Sequence, residues 1–198
     1  MVPDSNLQLA VVIKALREVV ARWPFPGRGW LVDEYVPVAY ARTWRSGEAS
    51  PGLRMISTLH RRPDLSRAAF EAHWRGPHVA VATSFTIPIW HYVQNVVREP
   101  LGHDVGFDVG FDAGFDAGLG AGLGAGIAGE VDGFVGMHFR TEAALRARWR
   151  DHPQEAARGA EDARCFMAVE RSVGITAIET VWDGTDADSP ALPRRSSA

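Results

Sequence analysis

Residues 53–95 read LRMISTLHRRPDLSRAAFEAHWRGPHVAVATSFTIPIWHYVQN, and this stretch decides the fold. Residues 53 to 60 alternate as a half-buried strand does, and Arg61-Arg62-Pro63-Asp64 ends the run. Ser66 then offers a hydroxyl oxygen to the first free amides of a helix, which makes it a good N-cap. Ala69, Phe70, His73 and Trp74 recur at helical spacing and are expected to form the buried stripe. Gly76-Pro77 interrupts that helix. Pro77 suits the first position of a renewed one, because its missing N–H would have had no partner there. Residues 88 to 97 form a second strand, with Trp90, Tyr92 and Gln94 on one face and His91, Val93 and Asn95 on the other.

Toward the C-terminus, residues 131 to 139 give a third strand, and Thr141 caps a helix from Glu142 to Arg150. A short helical piece around residues 157 to 166 and a last strand from about 169 to 182 complete the order strand, helix, strand, strand, helix, strand. That order predicts an α+β domain of the split βαβ, ferredoxin-like kind, with helices on one face of an antiparallel sheet. The other face is expected to hold Trp90, Tyr92 and further large residues. An apolar face of that size is a liability in water, so a second copy should cover it. Two such sheets close into a shared barrel, and a homodimer is predicted.

Toward the N-terminus, Leu9, Val12, Ile13, Leu16, Val19, Val20 and Trp23 recur at helical spacing, and residues 24 to 29, PFPGRG, stop the helix. A strand pattern runs from Trp30 until Pro37 weakens its pairing. Residues 1–50 therefore form a helix–strand extension, read as a docking element. A degenerate repeat is the alternative, because Ala15-Leu16-Arg17 recurs as Ala144-Leu145-Arg146. The main domain covers residues 51–183 and carries a glycine-rich loop at 103–129; residues 184–198 read as a disordered tail. Inside the loop, residues 106 to 126 repeat a glycine-led tetrapeptide. No lysine follows it and no strand-to-helix context frames it, so an expanded hairpin loop is expected rather than a phosphate cradle.

At 198 residues and 46% hydrophobic, the chain is long enough for one domain with a real core. A net charge of −3 with mixed signs argues against nucleic acid and acidic membrane surfaces as partners. One cysteine, Cys165, excludes an internal disulfide and any cysteine-based metal site, and is expected as a small apolar helix residue. The N-terminus lacks a basic n-region, and Lys14 and Arg17 break its apolar run. A soluble, cytoplasmic protein is predicted.

His78 is the most chemically suggestive position. It falls in the opening turn of the renewed helix, near the positive end of the macrodipole, where a cation is disfavoured. A neutral imidazole there can accept a proton. Tyr92 and Gln94 share a strand face and are expected to line the barrel lumen, holding a carbonyl or phenol. His73 and Trp74 are read first as core. His73 and His78 stand five apart with Gly76-Pro77 between them, which is not the i, i+4 spacing that places both imidazoles on one metal, so no metal is predicted. Asn95 and Asp132-Gly133 suit backbone pairing at strand ends.

The joint spacing of LSRAAFEAHWRGPH, WHYVQNVV, EVDGFVGMHF and a phenylalanine near EDARCF resembles the EthD family. Its pattern falls here on Leu65, Ser66, Phe70, His73, Trp74, His78, Tyr92, Gln94, Asn95, Asp132, Gly133 and Phe139, across roughly residues 53–182. The glycine array departs from the family in length, and the first fifty residues fall outside a single unit. The resemblance implies a dimeric α+β barrel. It also implies an oxidoreductase or tailoring enzyme that needs no cofactor and acts on a small hydrophobic or aromatic ligand. The candidate catalytic residues are His78 and Tyr92; His73, Trp74, Trp90, Gln94 and Asn95 are the candidate ligand contacts. A non-catalytic binding or accessory protein and a structural dimerisation module are the competing classes.

Overall fold

The computed structural model describes residues 29–101 and 131–181, together with Ile13, Lys14 and Glu18. These last three are helical, in keeping with the first predicted helix. The rest of that helix, the glycine array and the tail lie outside the described residues.

The chain is α+β. Its strands are β1 (Gly29–Val38), β2 (Leu53–Leu59), β3 (His91–Leu101), β4 (Gly133–Phe139) and β5 (Gly174–Ala177). Its helices are α1 (Arg67–Arg75), α2 (Pro77–Thr83), α3 (Glu142–Arg150) and α4 (Pro153–Phe166). The strands form one open five-stranded sheet in the order β1-β3-β4-β2-β5, antiparallel at every junction. The local signals act as their chemistry requires. The Ser66 hydroxyl accepts from the Ala69 amide at 3.1 Å, and the Thr141 hydroxyl from the Ala144 amide at 3.0 Å. Pro77 opens α2 after Gly76 closes α1.

β1, from the N-terminal extension, adds to β3 as an edge strand, with register shifts at Leu31/Val32 and before Val38, next to Pro37. At the other edge β5 is only four residues long, so the strand expected over residues 169 to 182 is mostly not a strand. Val169–Arg171 instead makes a 3-10 turn. The short helix expected from residue 157 begins at Pro153, where proline again fills the first helical turn.

The core lies between the helices and one sheet face, and joins Phe70, Trp74, Ala82 and Phe166 to Leu59, Tyr92, Val96, Val135 and Phe139. This corrects the expected facing of β3. Tyr92 is paired with Met137, Gln94 with Val135 and Val96 with Gly133, and those residues look toward the helices rather than the open face. Alternation fixes which residues share a face but not which face the helices take, and both sets on β3 contain buried valines. Ala69 is likewise exposed rather than part of the buried stripe of α1. Cys165 lies on α4 but is exposed, its Sγ 3.5 Å from the Glu161 carbonyl.

On the sheet face away from the helices, the β1–β2 connection folds back over one end. Tyr40 stacks on Trp44 with ring centroids 5.3 Å apart, and Tyr40 meets His91 edge-on at 4.2 Å. Part of the cover expected from a second copy therefore comes from the chain itself.

Asp132 and Gly133 are structural. The Asp132 carboxylate accepts the Arg61 amide at 2.8 Å, and its own amide donates to Leu59 at 2.9 Å. A Cβ on Gly133 would sit 2.5 Å from Cζ3 of the Trp74 indole, so only glycine lets that ring lie on the sheet. Gly133→Ala is expected to cost about 1–3 kcal/mol of stability, by overpacking. A urea midpoint unchanged from the wild type would refute this.

Candidate functional site

α1, α2 and α4 bring three polar side chains together above the core. The carboxylate of Asp162, on α4, takes one imidazole on each oxygen: His73 Nε2 at 2.9 Å from Oδ1 and His78 Nδ1 at 2.5 Å from Oδ2. A carboxylate can only accept, so Nδ1 of His78 carries the proton and its Nε2 presents a lone pair. Among the described residues nothing bonds to that Nε2. The Phe166 ring, one helical turn beyond Asp162, floors both imidazoles at 5.1 Å from His73 and 4.9 Å from His78.

Burial pushes the His78 imidazole below its ordinary range, and the Asp162 hydrogen bond only partly offsets this. The direction is the one expected at a helix start, but burial is its largest cause. Burial also pushes the Asp162 carboxyl up, yet hydrogen bonds from His78 and His73 outweigh it and hold the group below its usual value. The pair is an acceptor imidazole with an ionised carboxylate behind it. That is the arrangement of a general base with its orienting group.

Beneath the pair, the Gln94 amide donates to the Trp74 carbonyl at 3.0 Å and to the Tyr92 hydroxyl at 2.9 Å, while its Oε1 is buried without a hydrogen bond. Burial drives the Tyr92 hydroxyl up to about 12, so this phenol stays protonated. It can hold a ligand oxygen but does not serve as a base near neutral pH. Trp74, wholly buried, packs on Phe70 at 5.4 Å. His73 is not core: 26% of its side chain is exposed, and its ring is held by Asp162.

The structure thus gathers His73, His78, Trp74, Tyr92 and Gln94 in the seam between helices and sheet. Trp90 and Asn95 do not join them. Asn95 lies on the far sheet face, in register with Phe134 and Glu34. Trp90 precedes β3 and packs on Tyr40 at 5.1 Å and His138 at 5.2 Å, with the Arg140 guanidinium 4.9 Å above its ring. Sequence reasoning did not find Asp162 or Arg148. Their signal was a charge on an apolar stripe: Asp162 one turn before Phe166, and Arg148 three residues after Leu145. Among the described residues, no group of three or more His, Cys, Asp or Glu side chains is arranged to hold a metal. No described helix is long and apolar enough to cross a membrane.

The far-face cluster has its own electrostatics. Burial, aided by the Arg54 and His138 charges, presses His91 down to about 4. His138, wholly buried, is also pressed down by burial, against the pull of the Pro51 carbonyl 2.9 Å from its Nε2. Glu179, paired with Arg54, stands 3.7 Å from His138 Nδ1. Imidazoles depressed in the folded state bind protons more readily when unfolded. Their stabilisation is therefore complete above pH 6.5 and is lost as pH falls toward about 4. Urea midpoints should decline across that interval, and His91→Gln should flatten the decline. An equally steep decline in the variant would contradict this assignment.

No protein-family model matches the sequence, and no curated protein matches it.

Proposed function

We propose that this chain is an EthD-like protein whose sheet and helices form a ferredoxin-like unit. Two copies close into an α+β barrel and act, without a cofactor, on a small hydrophobic or aromatic ligand. The ligand lies against the seam between helices and sheet, where His78 Nε2 accepts a proton, Tyr92 and Gln94 hold an oxygen, and Asp162 steadies the imidazole. The single observation that carries this reading is the 2.5 Å bond between His78 Nδ1 and Asp162, which leaves the opposite nitrogen as an acceptor. Two further features support it. The order β3-β4-β2-β5 is the one that a split βαβ unit requires. Phe70, His73, Trp74, His78, Tyr92, Gln94 and Phe139 of the EthD pattern also meet between helices and sheet, with Trp74 seated on Gly133, while Asn95 stands apart. Proton abstraction followed by oxygenation, elimination or ring closure fits such a site.

A binding protein without turnover is the second reading. It is favoured by the protonated Tyr92 phenol, which can hold a ligand oxygen by a hydrogen bond but does not serve as a base. Native mass spectrometry of the purified protein tests the proposal. The expected species is a dimer that carries a small apolar molecule. A monomer that retains the molecule would sink the barrel but keep the site, whereas a dimer that takes up no aromatic molecule, neutral or anionic, would sink the site.

A further inference from the structure

The site's surroundings contain a charge that the proton chemistry does not use. Arg148, on α3, is 1% exposed, one of the largest fully buried side chains among the described residues. Its Nη1 donates to the Ile87 carbonyl, and its Nη2 to the Ala82 carbonyl at 2.7 Å. The guanidinium lies over Phe85 at 4.3 Å and faces Phe139 at 5.8 Å. Its Nε is buried, with no hydrogen-bond partner among the described residues. Among the described residues no carboxylate is within ion-pair distance. Glu155 is the acidic group that acts on it, but that carboxylate is spent on the Thr86 amide and hydroxyl at 2.7–3.2 Å.

A buried cation costs several kcal/mol unless an anion or a full set of hydrogen bonds compensates it. The Ala82 carbonyl lies in the last turn of α2, and a helix C-terminus supplies only about half an elementary charge. The rings add a modest cation–π attraction. These contacts position the guanidinium and leave much of its charge unmatched. Burial accordingly presses its pKa down to about 10. The Ala82 carbonyl that Arg148 holds lies one turn past His78 on α2, and Phe139, which its guanidinium faces, belongs to the same core as Tyr92, so the charge borders the proposed site.

We infer that Arg148 selects the ligand's charge: the molecule bound in this seam carries, or acquires on losing its proton to His78, an anionic oxygen that the buried guanidinium neutralises. This deepens the proposed function and rests on it. The substrate class becomes small aromatic carboxylates, or phenols and enols acidic enough to ionise, in place of neutral hydrocarbons or ethers. The step balances simply: the oxygen or carbon acid gives its proton to His78 Nε2, and the electron pair left behind faces Arg148.

Matched pairs of probes test the inference on the intact protein. Naphthoate and salicylate are each compared with their neutral amides by calorimetry and thermal shift at pH 7.5. The acids are expected to bind at least tenfold more tightly than the amides, and the advantage should shrink as salt is raised. Arg148→Lys should keep part of that preference, and Arg148→Met should abolish it. Because Arg148 also holds two backbone carbonyls, the wild-type comparison decides the matter even where the methionine variant does not fold. Equal binding of acid and amide overturns the role of Arg148 and leaves the ligand site standing. A preference that survives Arg148→Met with the fold intact also overturns it. If none of the four probes binds, both this inference and the ligand site fall.

Discussion

His78→Ala is expected to lower turnover about 10²–10⁴-fold while the fold survives, the range a positioned general base supplies. The imidazole is partly exposed, at 19%, and its removal opens no hole in the core of Phe70, Trp74 and Phe166. Asp162→Asn separates the base from its orienting group. The carboxylate raises the affinity of His78 for protons, so its loss should move the acid limb of the pH–rate profile to lower pH. The maximal rate should fall as well, because an amide offers one acceptor oxygen where two imidazoles need one each. Rate and pKa thus fall together. NMR titration of the His78 ring checks the second part without a substrate. A ring that titrates higher in Asp162→Asn would show that the carboxylate does not govern it.

Trp74→Ala should cost roughly 3–5 kcal/mol, enough to unfold a domain of ordinary stability at moderate urea. The indole is wholly buried, packs on Phe70, and rests on the bare backbone at Gly133. Its removal leaves a void floored by a residue with no side chain to fill it. The coupling gives a sharper check. Gly133→Ala clashes with the ring in the wild type, but in a Trp74→Leu background its Cβ should fill space instead. The two changes together should then cost less than the sum of each alone. Strict additivity would show that the ring does not press on Gly133.

Those two residues also show what the chain makes legible before folding. Ser66, Gly76-Pro77 and Thr141 mark helix ends through bonds between near neighbours, and each acts as its residue type requires. The facing of β3 was not legible, because its two residue sets are both apolar enough to be buried and only the assembled helices choose. Asp162 was hidden for a different reason. Its bonds to His78 and His73 join residues 84 and 89 positions apart, and no local pattern registers a contact of that span. Arg148 is one of twenty arginines in the chain, and nothing local sets it apart. Its lack of a carboxylate becomes visible only once its neighbours are known.

The two rims of the sheet carry a consequence for how copies can meet. β1 presents Asp33, Glu34 and Pro37 along its length, and β5 offers four residues of backbone. Charge, a missing amide and shortness each discourage a further strand from zipping on. Among the described residues, growth of copies into one continuous ribbon is therefore disfavoured. Face-to-face stacking is the association that these described edges leave open, and the same features work against fibril growth at the margins.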